Sequence, residues 1–197
     1  MVLATNNPGK LKEIKEILKD YELYSLKEKG LAIDVLEDAD TFYGNALKKA
    51  QTIYNLVKEP VIADDSGLCI TALDDFPGVL THRFLGEDAT NDARNSALIE
   101  MLSDPTLNRE AKVVCDLVYY DGNNTLVGEG TLKGKIASFP RGENGFGFDA
   151  IFELENGKTL AELTSEEKNA LSARYLACVD LLQQLKTTLK HPVKNRL

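Results

Sequence analysis

The chain opens with VLATNNPGKLKEIKEIL at residues 2–18, a stretch that predicts a strand, a turn and a helix in that order. Val2 to Ala4 form a short apolar run, and the turn-forming sequence TNNPGK at residues 5–10 follows at once. The next apolar residues recur at helical spacing, with lysines and glutamates between them: Leu11, Ile14 and Leu18. A strand that leads directly into an amphipathic helix is typical of α/β proteins.

Strand and helix signals alternate along the rest of the chain. Thr41 and Thr90 are predicted N-caps, the first for a helix at residues 42–57 and the second for a helix that buries Ala93 and Met101. A long C-terminal helix presents one apolar face, formed by Leu171, Tyr175, Cys178, Leu182, Leu185 and Leu189. The expected strands lie at residues 31–35, 61–63, 68–72 and 150–154, with DDSG at 64–67 following the end of the second one, and a hairpin is formed by residues 112–120 and 125–133. These signals predict an α/β fold with a mixed sheet, βαβ-like at its start and antiparallel in its second half.

Length and composition bound the class of protein. The chain has 197 residues, the size of one domain, which we take as residues 1–197. It carries 23 Lys and Arg against 31 Asp and Glu, so its net charge of −8 repels polyanions, and we expect neither a nucleic acid nor a membrane as partner. Two histidines and three scattered cysteines do not have the spacing of a zinc site. Reduced thiols and an N-terminus without an apolar signal segment predict a cytoplasmic protein.

The first candidate site is the turn between the first strand and its helix. A helix N-terminus presents free backbone N–H groups and the positive end of the helix dipole. Thr5, Asn6 and Asn7 add polar side chains, Gly9 allows close approach to the backbone, and Lys10 adds positive charge. These residues are suited to bind phosphate, but Asn-Pro-Gly is also common in turns, so a plain capped turn stays open.

Two adjacent carboxylates, Asp64 and Asp65, follow the apolar run at residues 61–63. Like charges repel each other, and a divalent cation would relieve the repulsion, because oxygen ligands suit Mg²⁺ or Mn²⁺. A solvated turn is the alternative.

A second acidic group precedes the Thr41 helix and comprises Glu37, Asp38 and Asp40. Acidic residues at that place complement the helix dipole, which by itself explains them. One of them joining the Asp64–Asp65 site is the alternative, which the residues alone do not favour.

Aromatic and basic residues near the C-terminal end form the last candidates. Phe146 and Phe148, framed by glycines in GFGFD, offer either a stacking face for a base or two core side chains. Lys168 and Arg174 lie about 120° apart on one continuous helix. With a turn near Ser172 between two helices, both reach one anion; two solvated basic residues are the alternative.

Five segments together resemble one family. They are ATNNPGKLKEI (4–14), ADDSGL (63–68), FPGV (76–79), RGENGFGFDAIF (141–152) and KTLAELTSEEKNALSAR (158–174). Their order and separations are similar to those of the inosine triphosphate pyrophosphatase family, which acts on non-standard purine nucleoside triphosphates. The resemblance spans nearly the whole chain.

This resemblance implies a two-lobed α/β fold with a central cleft, a homodimer, and Mg²⁺-dependent hydrolysis of ITP, dITP or XTP to the monophosphate and pyrophosphate. It implies that Asp65 is the catalytic acid–base and a metal ligand, with Asp64 beside it as a second catalytic candidate. It also makes Glu37 the other metal ligand, against the dipole explanation. The implied substrate contacts are Thr5, Asn6, Asn7, Gly9, Lys10, Ser66, Phe146, Gly147, Phe148, Asp149, Lys168 and Arg174.

Three departures from the family pattern bear on the base. Ala173 stands where the family has a histidine between Ser and Arg, and Phe148 stands where Tyr or Trp is common. Leu80-Thr81-His82-Arg83 replaces Tyr-Ser-Ala-Arg, and a core or surface histidine is favoured for His82 over a substitute for the missing imidazole. We therefore expect weaker discrimination among bases than the family norm.

Two other functions stay open from the sequence. One is a nucleotide pyrophosphatase for standard or modified triphosphates, and the other is a non-catalytic nucleotide-binding module. The intact acids Glu37, Asp64 and Asp65 argue against the second, because a pure binder does not need a group that activates water.

Overall fold

A computed structural model of the chain describes residues 1–86 and 88–188; Leu189, predicted to face the core, lies outside these ranges. One six-stranded sheet runs through the molecule in the order β2-β1-β3-β4-β5-β6. The first three strands pair in parallel and the remaining pairs are antiparallel. The strands are β1 (Val2–Leu3), β2 (Tyr24–Ser25), β3 (Val61–Ile70), β4 (Glu110–Tyr120), β5 (Thr125–Ile136) and β6 (Phe152–Glu153). The predicted mixed α/β sheet is confirmed.

Five α-helices flank the sheet, and side-chain caps define where several of them begin. They are α1 (Pro8–Ile17), α2 (Phe42–Val57), α3 (Asn91–Met101), α4 (Ser165–Asn169) and α5 (Ala173–Thr188). Thr41 and Thr90 cap α2 and α3 as predicted, and Thr164 with Glu167 forms a capping box on α4. Each cap satisfies backbone N–H groups that have no partner within the helix.

Two apolar clusters pack on opposite faces of the sheet, because successive strand residues point to opposite sides. Val2 and Val61 belong to the cluster under α2, whereas Leu3 and Ile62 belong to the larger cluster that includes α1, α3 and α5. Gly130 in β5 lets α5 approach closely, since a Cβ there would collide with the backbone of Ala173. The close approach places the first turn of α5 directly over the sheet. None of the helices in the described ranges has the length and apolar character of a membrane-spanning segment.

The largest error of the sequence analysis concerns DDSG. Residues 64–67 are not a turn but the middle of β3, which continues from Val61 to Ile70 and pairs with β4 along its whole length. The strand continues because every one of its residues, polar ones included, is buried and has a ladder partner on β4. The second predicted run therefore ends at Ile70, and residues 71–73 form a 3₁₀ turn.

Other element predictions need smaller corrections. Residues 31–35 form no strand, because no neighbouring strand pairs with them. Their alternate residues Leu31, Ile33 and Val35 nevertheless pack onto the α2-side cluster. Ala93 and Met101 are exposed rather than buried. The hairpin of β4 and β5 is confirmed, and β6 is shorter than predicted. In α5 the buried positions include Cys178, Leu181 and Leu185.

Candidate active site

Asp64 and Asp65 are neighbours in the middle of β3, with 1% and 3% of their surface exposed. Since adjacent strand residues point to opposite faces, the two carboxylates enter different surroundings. Asp64 points to the side of α1 and α5, and Asp65 points to the side of α2. The site is therefore built around one strand and has two sides.

On the first side, Asp64 is part of a buried network of ion pairs. Its Oδ2 atom lies 3.0 Å from Lys10 Nζ and 3.5 Å from a terminal nitrogen of Arg174. The Glu13 carboxylate pairs with Arg174 and, at 2.8 Å, with Lys168 Nζ, which also lies 2.7 Å from Asp149 Oδ2. Burial opposes the charge on Asp64, but Lys10 and Arg174 outweigh it and hold its pKa well below the usual range.

Local structure explains how these distant residues meet. Lys10 and Glu13 lie one turn apart on α1, so they share a face. Lys168 lies in the last turn of α4, and Ser172, directly before α5, accepts a hydrogen bond from Tyr175 N at 3.1 Å. The alternative with a turn between two helices is therefore the one that forms.

On the second side, the Asp65 carboxylate accepts two hydrogen bonds and forms no ion pair with any described residue. Asn45 Nδ2 donates to Asp65 Oδ2 at 2.9 Å, and the Ser66 backbone N–H donates to Oδ1 at 2.9 Å. Lys49 Nζ lies 2.5 Å from Glu37 Oε1 and also donates to the backbone carbonyl of Asp64. Burial, only partly offset by Lys49 and reinforced by Glu37, raises the pKa of Asp65 from 3.8 to about 6.

Of the acidic segment before α2, only Glu37 faces this site. Asp38 pairs with Lys48 at 2.5 Å on the surface, and Asp40 is exposed. In the part of the chain that the structure describes, no group of three or more His, Cys, Asp or Glu side chains is arranged to hold a metal ion. Glu37 and Asp65 nevertheless form an oxygen-only pair, which is the donor set that suits Mg²⁺ when substrate oxygens and water complete the coordination.

The turn at residues 5–10 lines a cavity of about 200 Å³ beside this acidic pair. Asn7 Oδ1 caps α1 by accepting from Gly9 N at 2.9 Å and from Lys10 N at 3.2 Å. Asn6 Nδ2 donates to the Ile33 carbonyl at 2.9 Å. The polar cavity, named the polar pocket below, is lined by Thr5, Asn6, Asn7, Lys10, Asp34, Glu37, Lys49 and His82, with apolar residues behind them.

A second, smaller cavity of about 40 Å³ adjoins the ion-pair side and is named the aromatic pocket. Lys168 Nζ lies 4.5 Å from the centre of the Phe146 ring, and Phe148 packs edge-on against Phe152. Asp149 Oδ2 accepts from Phe146 N at 2.8 Å. The pocket lining includes Ser66, His82, Phe146, Gly147, Phe148, Asp149, Lys168, Ala173 and Arg174.

With this geometry established, comparison with known proteins identifies the family. The model of the Ham1 family matches residues 1–184. The chain belongs to the Ham1 family.

Individual Ham1 relatives agree over almost their full length. A dITP/XTP pyrophosphatase of Geobacillus kaustophilus (strain HTA426) is 46% identical over 190 residues, which cover 93% of each chain. The dITP/XTP pyrophosphatase of Bacillus subtilis (strain 168) is 42% identical over 194 residues, or 96% of each chain. The structure of a HAM1 protein from Coxiella burnetii superposes with a TM-score of 0.84 at 38% identity, covering 96% of this chain and 97% of that one.

The Ham1 fold brings most of the predicted site residues to the two pockets. Thr5, Asn6, Asn7, Lys10 and Glu37 line the polar pocket; the predicted residues from Phe146 to Asp149, with Ser66, Lys168 and Arg174, line the aromatic one. Gly9 lies beside the Phe146 ring, which a Cβ at Gly9 would strike. The two predicted catalytic acids, Asp64 and Asp65, line neither pocket. They are buried in β3, where Asp64 contacts the pocket residues Lys10 and Arg174, and their roles stay predictions.

Three residues of this Ham1-family site escaped the sequence analysis. Glu13 and Lys49 lie in charged stretches of their helices, KEIKE (12–16) and KK (48–49), where such residues are ordinarily solvated, and both are buried here. Asn45 is fully buried and joins Asp65 to the Ala39 backbone N–H, which donates to Asn45 Oδ1 at 2.9 Å. Its only signal was its position four residues after an N-cap, which does not distinguish a buried amide from an exposed one.

Proposed function

We propose that the chain hydrolyses non-standard purine nucleoside triphosphates, namely ITP, dITP and XTP, to the nucleoside monophosphate and pyrophosphate, with Mg²⁺ as the metal ion. The observation that carries the proposal is the pair of adjoining pockets that meet at His82. One is lined by a helix N-terminus, two lysines and two acids, and the other by aromatic and hydrogen-bonding groups. A nucleotide has the same division into polyanion and base. The enzyme class is that of the dITP/XTP pyrophosphatases to which the chain is similar.

The polar pocket fits the triphosphate. The side chains of Thr5 and Asn6 supply hydrogen-bond donors, the N-terminus of α1 supplies the positive end of the helix dipole, and Lys10 and Lys49 supply positive charge. Hydrolysis that releases pyrophosphate builds negative charge on the leaving group, so donors held in place before the reaction lower its barrier.

Glu37 and Asp65 fit Mg²⁺, because both supply carboxylate oxygens and lie close enough for the charge of Glu37 to add to burial in raising the pKa of Asp65. Bound Mg²⁺ supplies positive charge against phosphate oxygens and makes water more acidic. The chain's own contribution is the proton acceptor. Asp65 takes the proton of the attacking water, and Asn45 and the Ser66 N–H hold the carboxylate in place.

The aromatic pocket fits a 6-oxopurine. Arg174 Nε is buried without a hydrogen-bond partner in the described residues, which leaves a donor for the O6 atom. Both contacts of the Asp149 carboxylate, with Lys168 and with Phe146 N, use Oδ2, so Oδ1 remains to accept the N1–H proton. Adenine presents the opposite polarity at both atoms, and each buried mismatch costs roughly 1–3 kcal/mol.

The test is a hydrolysis panel of ITP, dITP, XTP, GTP, ATP and modified pyrimidine triphosphates, with and without Mg²⁺, that measures pyrophosphate and phosphate separately. We expect pyrophosphate release that requires Mg²⁺ and is fastest with ITP, dITP and XTP. Release that is fastest with GTP, ATP or a pyrimidine points instead to the altered-specificity pyrophosphatase. Binding without any release points to the non-catalytic module.

Ala173 gives the altered-specificity alternative its specific support, because the aromatic pocket has only a methyl group at that position. We propose, accordingly, that ITP is favoured over GTP less strongly than in the family; sharp selectivity for ITP over GTP would contradict this. A homodimer is proposed on the family resemblance alone, and light scattering of the purified chain measures it.

A further inference from the structure

His82 stands where the two pockets meet. It lines the polar pocket together with Lys10 and Glu37, and it also lines the aromatic pocket together with Phe146 and Arg174. Among the described residues it is the only one that lines both. It therefore forms the boundary that any ligand spanning the two pockets has to cross.

The residues on either side of His82 hold it in place. Thr81 is buried, and its hydroxyl accepts from the Leu68 N–H of β3 at 2.9 Å and donates to the Gly78 carbonyl at 2.6 Å. Arg83 donates to the Glu37 backbone carbonyl and, at 3.1 Å, to the Val79 carbonyl. Gly67 lets this turn lie against β3, since a Cβ there would strike Gly78 and Thr81. A side chain fixed at both flanks can contact a ligand without a large loss of conformational entropy.

The imidazole of His82 is a neutral hydrogen-bonding group. Burial, together with the positive charge of Lys10, lowers its pKa to about 4 despite the nearby carboxylates of Asp64 and Glu37. A neutral imidazole has one N–H donor and one nitrogen acceptor. In the described part of the chain neither nitrogen makes a hydrogen bond to protein, whereas the flanking Thr81 and Arg83 side chains both hydrogen-bond backbone groups.

We propose that His82 hydrogen-bonds a hydroxyl group of the substrate sugar and thereby raises kcat/KM for nucleotides that carry that hydroxyl. This inference rests on the proposed function only in the placement of base and phosphates. In every nucleoside triphosphate the sugar joins those two parts, so the sugar must lie at the boundary that His82 forms. A hydroxyl group both donates and accepts, and it is therefore matched by either nitrogen of the ring.

The experiment compares ITP, dITP and 2′,3′-dideoxy-ITP as substrates of the wild-type chain, His82→Ala and His82→Gln. In the wild type, we expect that removal of one of the two hydroxyls lowers kcat/KM roughly two- to tenfold, the value of one neutral hydrogen bond. In His82→Ala that loss of kcat/KM disappears, while the ratio of kcat/KM for ITP to kcat/KM for GTP is unchanged. His82→Gln keeps a donor and an acceptor and retains part of that loss.

Leu80→Ala is the matched control, because Leu80 belongs to the same turn but is 43% exposed and lines neither pocket. It should leave all three substrates in their wild-type order. Calorimetric binding of IMP, dIMP and 2′,3′-dideoxy-IMP to the same variants separates this inference from the proposed function, since binding needs no hydrolysis. A wild type that hydrolyses no triphosphate refutes the proposed function, and the binding ratio still tests His82.

Two results would overturn the role of His82. One is that removal of either hydroxyl changes neither kcat/KM nor binding in the wild type, or that it lowers them equally in the wild type and in His82→Ala. The other is a His82→Ala variant that changes the ratio of ITP to GTP instead, which would place the imidazole against the base. If His82→Ala unfolds, His82→Gln decides by the same ratios.

Discussion

The two faces of β3 treat two chemically identical side chains in opposite ways. On the Asp64 face, three carboxylates and three cations meet: Asp64, Glu13 and Asp149 with Lys10, Lys168 and Arg174. On the Asp65 face, Lys49 is shared by two carboxylates, Asp65 and Glu37. The first set is balanced, and the second carries an excess of negative charge.

This difference shows how one strand divides support from chemistry. Asp64 holds Lys10 and Arg174 in position, and its low pKa keeps it ionised. Asp65 is buried without a full counter-charge, and its pKa of about 6 leaves it ready to exchange a proton near neutral pH. A site of this second kind is stabilised by an added cation, whereas the first kind gains nothing from one.

The largest expected effect is on catalysis at Asp65. Asp65→Asn removes the proposed proton acceptor and one of the two proposed metal ligands, so turnover should fall roughly 10³-fold or more. The fold should remain intact, because an amide can occupy the same place beside Asn45. Pyrophosphate release in single-turnover experiments measures the loss, and near-wild-type turnover would remove Asp65 from the mechanism.

The opposite face should respond in stability. Asp64→Asn leaves Lys10 and Arg174 buried with one counter-charge fewer, and the free energy of unfolding should fall by roughly 3–5 kcal/mol. Denaturant unfolding followed by circular dichroism measures it. Equal stability of Asp64→Asn and Asp65→Asn would break the comparison between the two faces.

Glu13→Gln tests whether the balanced network acts as a unit. Glu13 joins Lys168 and Arg174, but each of these cations keeps a second carboxylate, so a smaller loss of roughly 2–3 kcal/mol is expected. Glu16→Gln on the same helix is the control. Its side chain is 42% exposed, and its loss should stay below about 1 kcal/mol. A loss for Glu13→Gln no larger than the control would show that Glu13 is dispensable.

The smallest effect concerns the dependence of stability on pH. The folded pKa of Asp65 is raised from 3.8 to about 6, so the fold favours the neutral acid, and its ionisation costs stability above pH 6. In EDTA and above pH 6, the free energy of unfolding of Asp65→Asn should therefore exceed that of the wild type by about 1–2 kcal/mol. This is less than the roughly 3 kcal/mol that corresponds to the full pKa shift. The difference should shrink as pH falls from 6 to 4. Thermal unfolding across that range measures it, and a difference that grows towards low pH has the wrong sign.

Much of the fold followed from local signals. Thr41 and Thr90 were recognisable as caps because a hydroxyl before an apolar-periodic segment satisfies backbone donors nearby in sequence. The hairpin of β4 and β5 was recognisable for the same reason, since its turn residues are local. By contrast, residues 31–35 have the alternation of a strand and lack a partner, and pairing is decided by distant chain.

The candidate site divides in the same way. The resemblance to the family pointed to Lys10, Glu37 and Asp65, because the resemblance is a property of the sequence. It did not reveal Glu13, Lys49 or Asn45, whose importance comes from burial rather than from residue type. The local sequence also did not show that DDSG continues a strand, because a charged turn and a charged strand segment differ only in whether a neighbouring strand, here β4, pairs with them.

The amino-acid sequence by itself determined the α/β class, the helix starts, the hairpin, the family and the set of acidic and basic residues available for chemistry. Only the tertiary structure decided that Asp64 and Asp65 face opposite sides, that one is neutralised and the other is not, and that His82 separates two pockets. The physical reason is that a side chain's charge state and partners depend on burial and on neighbours from distant parts of the chain. Local sequence specifies which groups exist, and packing specifies which of them share a low-dielectric environment.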